Sequence, residues 1–436
     1  MKRLLVLAYF YPPLAGGGVH RVLSFTRHLP AHGWACTVVC AGEHDYWVRD
    51  ETLLGQVPAE TEVLRVAGGS ALAGLLRLRA AGTGGRRSSG VFSALRTLSN
   101  WWLLPDSYAG WIGRARAAAL ARIARGGIDA VLSSSPPDSV HLAAADVARA
   151  TRLPWVADFR DPWIGSSFRR PPTRWHASRQ AAMEARVLAG ADLVMVASRT
   201  HSEQLEALGP QRPRRLFHLP NGFEHAPVPA APPADVPEPG EPQRFRIAFT
   251  GTLSLTEDAS TLLAAVQTLL EREPSARARL RVDLAGPHDS EWPERAVRLG
   301  LTDVVHLPGP LPYAETRALQ RAADLLMLWK PHGEGFRTMI PGKLYEYLDS
   351  GRPVLALLPA GDEAAELVER AGGMRLVPGD AAGLARELWA RYVRWSAGER
   401  VRDRRPTWLA AHARERLAGE LARALDALGV HGGADA

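Results

Sequence analysis

The chain has 436 residues, of which 46% are hydrophobic and 23% charged. This balance excludes a disordered or fibrous protein, and the length fits two domains of roughly 200 residues each. The net charge is +7, and residues 1–220 hold 27 basic against 16 acidic residues. A basic first half predicts an anionic partner, either a membrane surface or a phosphorylated acceptor. Nucleic acid is not expected, because no zinc-finger spacing or RNA-binding signature occurs.

Short apolar runs in the first half alternate with longer segments of helical period. The predicted strands are Leu4–Tyr9, Thr37–Ala41, Ala130–Ser133, Trp155–Asp158, Leu193–Ala197 and Leu216–Leu219. Helices are predicted between them, for example over Ile112–Arg125 and Val140–Ala150. This alternation is typical of a parallel sheet with helices on both faces. The first apolar run ends in Tyr-Pro-Pro and glycines rather than a cleavage site, so it predicts a buried strand and a cytoplasmic protein.

A proline-rich stretch, residues 225–243, interrupts the alternation and predicts a semi-stiff linker. After it the strand pattern restarts at Phe245–Phe249, Arg281–Leu284, Val304–Leu307, Leu325–Trp329, Val354–Leu358 and Met374–Val377. We therefore predict an α/β protein with two doubly wound, Rossmann-like parallel-sheet domains, residues 1–224 and 244–396, facing each other across a cleft. Ligands in such sheets bind beyond the carboxyl ends of the strands.

Residues 68–112 form a segment rich in Gly, Arg and Ser that ends near two tryptophans, Trp101 and Trp102. Arginines beside aromatic side chains are typical of contact with an anionic membrane interface. The alternative interpretation is a long loop whose tryptophans only pack on the domain.

A glycine cluster, Gly16, Gly17 and Gly18, lies between the first strand and a predicted helix. Glycines at this point let backbone N–H groups approach an anion at a helix N-terminus. The cluster is neither a dinucleotide fingerprint nor a phosphate-binding P-loop, because the further residues of those motifs are absent.

Three ionisable residues, Asp158, Arg160 and Asp161, crowd the predicted carboxyl end of a strand, and His141 follows another strand end. An aspartate there could accept the proton of an acceptor hydroxyl, and we name all four as candidate catalytic residues. The alternatives are a structural Asp–Arg pair and a structural histidine.

In the second half, Gly251 and Thr252 end a strand, and Pro341 and Gly342 suit the start of a helix. Lys343, in the first turn with Leu344, can reach a phosphate, and Glu346 can accept hydrogen bonds from ribose hydroxyls. These positions are therefore candidates for binding an anionic nucleotide ligand.

These motifs resemble the retaining GT-B glycosyltransferases of family four, especially bacterial enzymes of surface polysaccharide synthesis. The resemblance rests on Tyr-Phe-Tyr-Pro-Pro with the glycine cluster, Leu-Pro-Asn221-Gly222, Gly251-Thr-Leu, and Lys343-Leu-Tyr-Glu346-Tyr-Leu before Gly351. It implies a nucleotide-diphosphate-sugar donor on the second domain and an acceptor on the first. It also implies retention of configuration and no essential metal or other cofactor. In this architecture the helical segment 397–436 would cross back to the first domain.

The chain departs from the family pattern at three places. Thr252 and Glu257 lie where an arginine and a lysine usually hold the diphosphate. Either Lys343, Lys330 or Arg337 supplies the charge instead, or donor binding is altered. The partner of Glu346 in the family's glutamate pair falls on Thr338, and Glu334 resembles it with a displacement of four residues. The usual cleft histidine is replaced by the segment from Asp158 to Asp161.

The predicted function is therefore sugar transfer from a nucleotide-diphosphate sugar to a glycan or lipid-linked acceptor. The expected location is the cytoplasm, at the inner face of the membrane. Two alternatives remain open: a GT-B-fold nucleotide-sugar epimerase, and a non-catalytic protein that binds nucleotide sugars or glycans.

Overall fold

A computed structural model describes residues 1–16, 18–42, 49–67, 101, 103–166, 171–224, 243–253, 257–288, 291–400 and 405–429. The chain divides into two compact units. The first comprises residues 1–221 and 414–436, and the second comprises residues 222–413.

The first unit is built on a seven-stranded parallel sheet of order β3-β2-β1-β4-β5-β6-β7. Its strands are β1 (Lys2–Leu7), β2 (Trp34–Ala41), β3 (Glu62–Val66), β4 (Ala130–Ser135), β5 (Trp155–Phe159), β6 (Leu193–Val196) and β7 (Leu216–His218). Its helices are α1 (Val19–His28), α2 (Ile112–Ile123), α3 (Ser139–Thr151), α4 (Arg174–Gly190), α5 (Arg199–Glu206) and, from the C-terminal segment, α12 (Arg414–Asp426).

The central strands are apolar on both faces, because helices cover both sides of the sheet. In β1, Leu4 and Val6 join one core cluster and Leu5 and Leu7 the other. The first cluster also takes in α12, whose Leu417, Leu421 and Leu425 recur at a spacing of four residues along one helix face.

The second unit is built on a six-stranded parallel sheet of order β10-β9-β8-β11-β12-β13. Its strands are β8 (Phe245–Thr250), β9 (Leu280–Ala285), β10 (Val305–Gly309), β11 (Leu325–Trp329), β12 (Val354–Leu357) and β13 (Met374–Leu376). Its helices are α6 (Glu257–Arg272), α7 (Glu291–Arg298), α8 (Tyr313–Ala322), α9 (Gly342–Asp349), α10 (Glu363–Arg370) and α11 (Ala381–Ser396).

The predicted fold class is confirmed: each unit is a Rossmann-like parallel sheet with helices on both faces. Each predicted strand corresponds to a strand of the structure, but the prediction missed β3. This short edge strand is half-buried along its whole length, and Glu62 and Arg65 lower its hydrophobicity.

The boundaries of the two units differ in part from those predicted. Residues 397–413 belong to the second unit, and the chain joins the first unit only from Arg414 onward. The predicted linker lies outside the described residues apart from Gln243, and so does most of the segment 68–112. Within the described ranges, no helix is long and apolar enough to cross a membrane.

Candidate functional site

A buried ion pair joins Arg21 of α1 to Asp158 at the end of β5. The guanidinium Nε and Nη2 atoms donate to the two carboxylate oxygens over 3.0 and 2.9 Å, and Ser134 donates a further bond of 2.8 Å. Asp158 is fully buried and Arg21 is 6% exposed. Since its oxygens are already engaged, Asp158 fits the structural interpretation better than contact with an acceptor, and its partner is Arg21 rather than Arg160.

Arg21 also binds residues 219–221, where the chain leaves the first unit. Nη2 donates to the carbonyl of Leu219 over 2.9 Å, and Nη1 donates to the carbonyl of Pro220 over 3.0 Å. The Asn221 side chain accepts a longer bond of 3.3 Å. A single buried guanidinium therefore ties α1, β5 and residues 219–221 together.

His141 lies fully buried in α3, with its ring 4.3 Å from that of Phe159. Its Nδ1 is 2.8 Å from the Ser133 hydroxyl, which also accepts the Trp155 indole N–H. Burial and the nearby Arg160 charge lower the pKa of His141 to about 3. A histidine that stays neutral at pH 7 and has so low a pKa is a weak general base, so the geometry favours the structural interpretation.

Arg160 packs closely against Gly18, the residue before α1. A Cβ at Gly18 would overlap the guanidinium, so any other residue there would force the Arg160 side chain to move. Arg160 donates to the carbonyls of Ser135 and Pro136 over 2.6 and 2.7 Å. Burial lowers its pKa, and the Asp161 and Asp158 carboxylates oppose that shift.

Asp161 is the remaining acidic candidate, and it is half-buried. Burial raises its pKa, while Arg160 acts in the opposite direction. Its carboxylate makes no hydrogen bond within the part of the chain that the structure describes, so it is available to a ligand. Gly16 is exposed, and Gly17 lies outside the described residues.

In the second unit, β8 and α9 place Lys343 beside Gly251. The Lys343 ammonium lies 3.5 Å from the centroid of the Phe249 ring, which stacks on Trp329 at 3.8 Å. Gly251 has a φ of +131°, and a Cβ there would lie 3.0 Å from Nζ. Burial lowers the pKa of Lys343 to about 7, although Glu346 opposes the shift.

The start of α9 has free backbone donors. Pro341 precedes the helix, and no side chain caps its first turn. The N–H groups of Gly342 and Lys343 have no intrahelical partner, since the first turn of a helix leaves its donors unbonded. The half-buried lysine therefore lies beside two free amides, an arrangement suited to an anion.

Glu346 lies one turn further along α9 and is 8% exposed. Its Oε2 accepts a bond of 3.4 Å from Gln320, which also donates to the Thr250 hydroxyl over 3.0 Å. The buried Arg317 donates to the main-chain carbonyl of Glu346 over 2.7 Å. This network fixes the carboxylate and leaves Oε1 without a bond to any described residue.

Lys330 and Leu344 do not offer the contacts predicted for them. The three donors of the Lys330 ammonium are taken by the carbonyls of Phe336 and Met339, at 2.9 and 2.5 Å, and by Asp362 at 2.7 Å. Leu344 is fully buried in the core, and its amide bonds to Pro341. Lys330 therefore organises the loop before α9, and Leu344 anchors the helix.

Three other candidates lie at the surface of the second unit. Thr252 is exposed, and Glu334 pairs with Arg337 at 3.5 Å with side-chain exposures of 89% and 52%. Exposed pairs of this kind bind weakly and are free to rearrange. Their predicted contact with a ligand remains a prediction.

No group of His, Cys, Asp and Glu side chains that could hold a metal ion occurs among the residues that the structure describes.

The sequence did not lead us to predict Arg21, Arg317 and Gln320. Arg21 follows the glycine cluster by three residues and is the one charged side chain among the buried residues of α1. A charge at a core-facing position of a helix is a signal that could have identified it.

We predict that Asp158→Asn destabilises the first unit by about 3 to 5 kcal/mol, because it leaves the Arg21 charge buried without a counter-ion. Urea unfolding of the full chain would measure this loss. Asp146→Asn is the control, since its partners Arg149 and Arg186 are largely exposed and this change should cost less than about 1 kcal/mol. Equal losses in the two variants would contradict the role given to the buried pair.

Comparison with known proteins agrees with this architecture. Residues 16–222 match the family described as glycosyl transferase 4-like domain, and residues 244–391 match glycosyl transferases group 1. No curated protein sequence matches the chain significantly.

Solved structures share the fold over nearly the whole chain. Sucrose-phosphate synthase from Thermosynechococcus elongatus is 16% identical with a TM-score of 0.65, covering 98% of this chain and 100% of that one. HepE from Anabaena, in complex with UDP and glucose, is 17% identical with a TM-score of 0.63 and the same coverage. A putative UDP-N-acetylglucosamine 2-epimerase from Listeria monocytogenes is 15% identical with a TM-score of 0.57, covering 98% and 96%.

These similarities show the fold, and the two family matches add the class of activity. Together the matched ranges span both parallel sheets. The chain therefore belongs to the GT-B glycosyltransferases.

Proposed function

We propose that the chain transfers a sugar, with retention of configuration, from a nucleotide-diphosphate sugar to a hydroxyl group of an acceptor. The observation that carries this proposal is the start of α9, where the Lys343 ammonium lies beside Gly251 and Glu346 follows one turn later. A diphosphate is bound by a cation and N–H donors, and the two hydroxyl groups of a ribose can donate hydrogen bonds to a carboxylate. These groups lie together on one short helix.

The proposed role of Lys343 and the α9 amides is to stabilise the leaving diphosphate. Negative charge develops on this group as its bond to the sugar breaks. Fixed donors aimed at that charge lower the barrier because they need no reorganisation. Since this chain's own cation and amides supply the charge, we expect no essential metal.

The proposed role of Glu346 is to bind the ribose. Gln320 holds Oε2, and Oε1 is left for the hydroxyl groups of the nucleotide. Arg317 donates to the main-chain carbonyl of Glu346 and so holds the helix backbone at this residue. HepE binds UDP and glucose, and a uridine nucleotide is therefore the first donor to test here.

The proposed acceptor is a glycan or a lipid-linked sugar, bound by the first unit during synthesis of a polysaccharide or glycoconjugate. The basic excess of residues 1–220 supports an acceptor near phosphate groups. Asp161, with its unengaged carboxylate and raised pKa, is the residue we propose to contact the acceptor hydroxyl. The proposed location is the cytoplasm, at the inner face of the membrane.

A thermal-shift screen against UDP-, GDP- and dTDP-sugars tests donor binding, followed by incubation of each ligand with the protein alone. An epimerase, the activity named for the Listeria neighbour, would convert the nucleotide sugar without an acceptor. A transferase would leave the sugar's configuration unchanged and release nucleotide faster when acceptor is added. Binding without either reaction would support the non-catalytic alternative.

We predict that Lys343→Met lowers turnover of the nucleotide sugar about a hundredfold, because one fixed donor to the leaving group is lost. Release of the nucleoside diphosphate under saturating donor is the measurement. The matched control is Arg277→Met, which removes an exposed cation of the same unit that pairs with Asp303. Unchanged turnover in Lys343→Met would remove this lysine from the mechanism.

We also predict that donor binding takes up a proton at pH 8. Burial lowers the pKa of Lys343 to about 7 in the free protein, so this side chain is mostly neutral at pH 8. A bound diphosphate favours the charged form and raises the pKa, so affinity should fall as pH rises above 7. The diphosphate of a nucleotide sugar carries no proton that titrates near neutral pH.

Calorimetry in two buffers of different ionisation enthalpy measures this uptake. The expected value approaches one proton per donor for the wild type and falls to near zero in Lys343→Met. An equal uptake in both proteins would show that another group carries the proton.

A further inference from the structure

Two tryptophans of the first unit are exposed. Trp175 is 60% exposed and Trp101 is 50% exposed, whereas the other described tryptophans are buried or half-buried. Tryptophan is normally among the most buried side chains, so an exposed pair requires a reason. Ile164, also exposed at 39%, lies on the loop that packs on the same helix, α4.

The two tryptophans are fixed by one buried histidine. The His176 ring is 5.8 Å from that of Trp101 and 4.9 Å from that of Trp175. His176 Nε2 is 3.3 Å from the Trp101 carbonyl, and Nδ1 is 2.8 Å from the Thr173 hydroxyl. Both exposed indoles are therefore held by contacts with a buried side chain.

Gln180 of α4 joins the helix to two loops. Gln180 accepts a bond of 2.5 Å from the Trp163 indole and donates one of 2.8 Å to the Pro105 carbonyl. One turn later Glu184 accepts a bond of 3.1 Å from the Ile164 amide. The inner face of the helix is thus engaged, and its outer face is presented to solvent.

The outer face is basic. Arg174 and Arg179 are exposed and form no salt bridge with a described residue. No acidic residue occurs from position 162 to position 183, and Glu184 is occupied by the Ile164 amide. We call Trp101, Trp175, Arg174 and Arg179 the tryptophan patch.

We infer that the tryptophan patch docks the first unit on the surface of an anionic lipid bilayer. Indole rings favour the interface between hydrocarbon and water, and arginines favour lipid phosphate. A neutral glycan would stack on the indoles without needing the uncompensated arginines, so the charge favours lipid. This inference deepens the proposed function by naming where a membrane-bound acceptor is met, but the docking can be tested without the transfer reaction.

The experiment is co-sedimentation of the full chain with vesicles of phosphatidylcholine containing about one-third phosphatidylglycerol, compared with phosphatidylcholine alone. The wild type should bind the anionic vesicles, and less at high salt. Trp175→Ser and Trp101→Ser should each weaken binding about tenfold. Arg174→Gln and Arg179→Gln should each weaken it about fivefold at low salt.

Two matched controls carry the same kinds of change outside the patch. Val297→Ser removes an exposed apolar side chain, 65% exposed, from the second unit. Arg116→Gln removes an exposed arginine from α2 of the first unit. Neither variant should change vesicle binding.

Donor turnover measured in the same variants separates the docking proposal from the proposed function. Patch variants that keep full turnover and lose vesicle binding support the inference. Equal vesicle binding by Trp175→Ser and Val297→Ser would overturn it, as would equal binding to neutral and anionic vesicles. Binding to a soluble polysaccharide but not to vesicles would also overturn it, in favour of a glycan-docking surface.

Discussion

The first unit depends on the pairing of Arg21 with Asp158. The carboxyl ends of parallel strands lie at one edge of a sheet, where ligands bind. A charged side chain at that edge that is buried in the core needs a partner of opposite charge. Arg21 neutralises the buried carboxylate and also donates hydrogen bonds to the carbonyls of residues 219–220. Breaking the pair would leave a buried charge without a partner, at a cost of several kcal/mol. The pair therefore holds α1 in place, together with Gly18, which precedes the helix and lies against Arg160.

The second unit follows the same rule with different residues. Lys330 is neutralised by Asp362, and Arg317 by Asp349, all within the buried or nearly buried part of the unit. Lys343 differs, because its ammonium rests against an aromatic ring and its pKa is lowered by burial. A cation without a close carboxylate partner in the free protein gains the most interaction energy from an anionic ligand. This difference distinguishes Lys343, the proposed binding residue, from the structural cations Lys330 and Arg317.

Much of the fold could be predicted, because strands buried on both faces give short continuous apolar runs such as Leu325–Trp329. The half-exposed edge strand β3 gives no such run and was missed. The site was harder to predict, since a residue type does not reveal which partner it meets. Asp158 and Lys330 have the chemistry of ligand-binding residues, but both are occupied by partners distant in sequence, Arg21 and Asp362. Only Lys2, Lys330 and Lys343 are lysines in this arginine-rich chain. A lysine at position 343 can have its pKa lowered to near neutrality, whereas an arginine starts far above that range and stays charged.

The start of α9 is the site that we propose for the diphosphate of the donor. The most direct measurement is a crystal structure of the full chain with the nucleotide sugar that the screen identifies. We expect a diphosphate oxygen within hydrogen-bond distance of Lys343 Nζ and of the Gly342 or Lys343 amide, with the ribose hydroxyls on Glu346. A diphosphate bound elsewhere, with the Lys343 ammonium still lying over the Phe249 ring, would contradict the account.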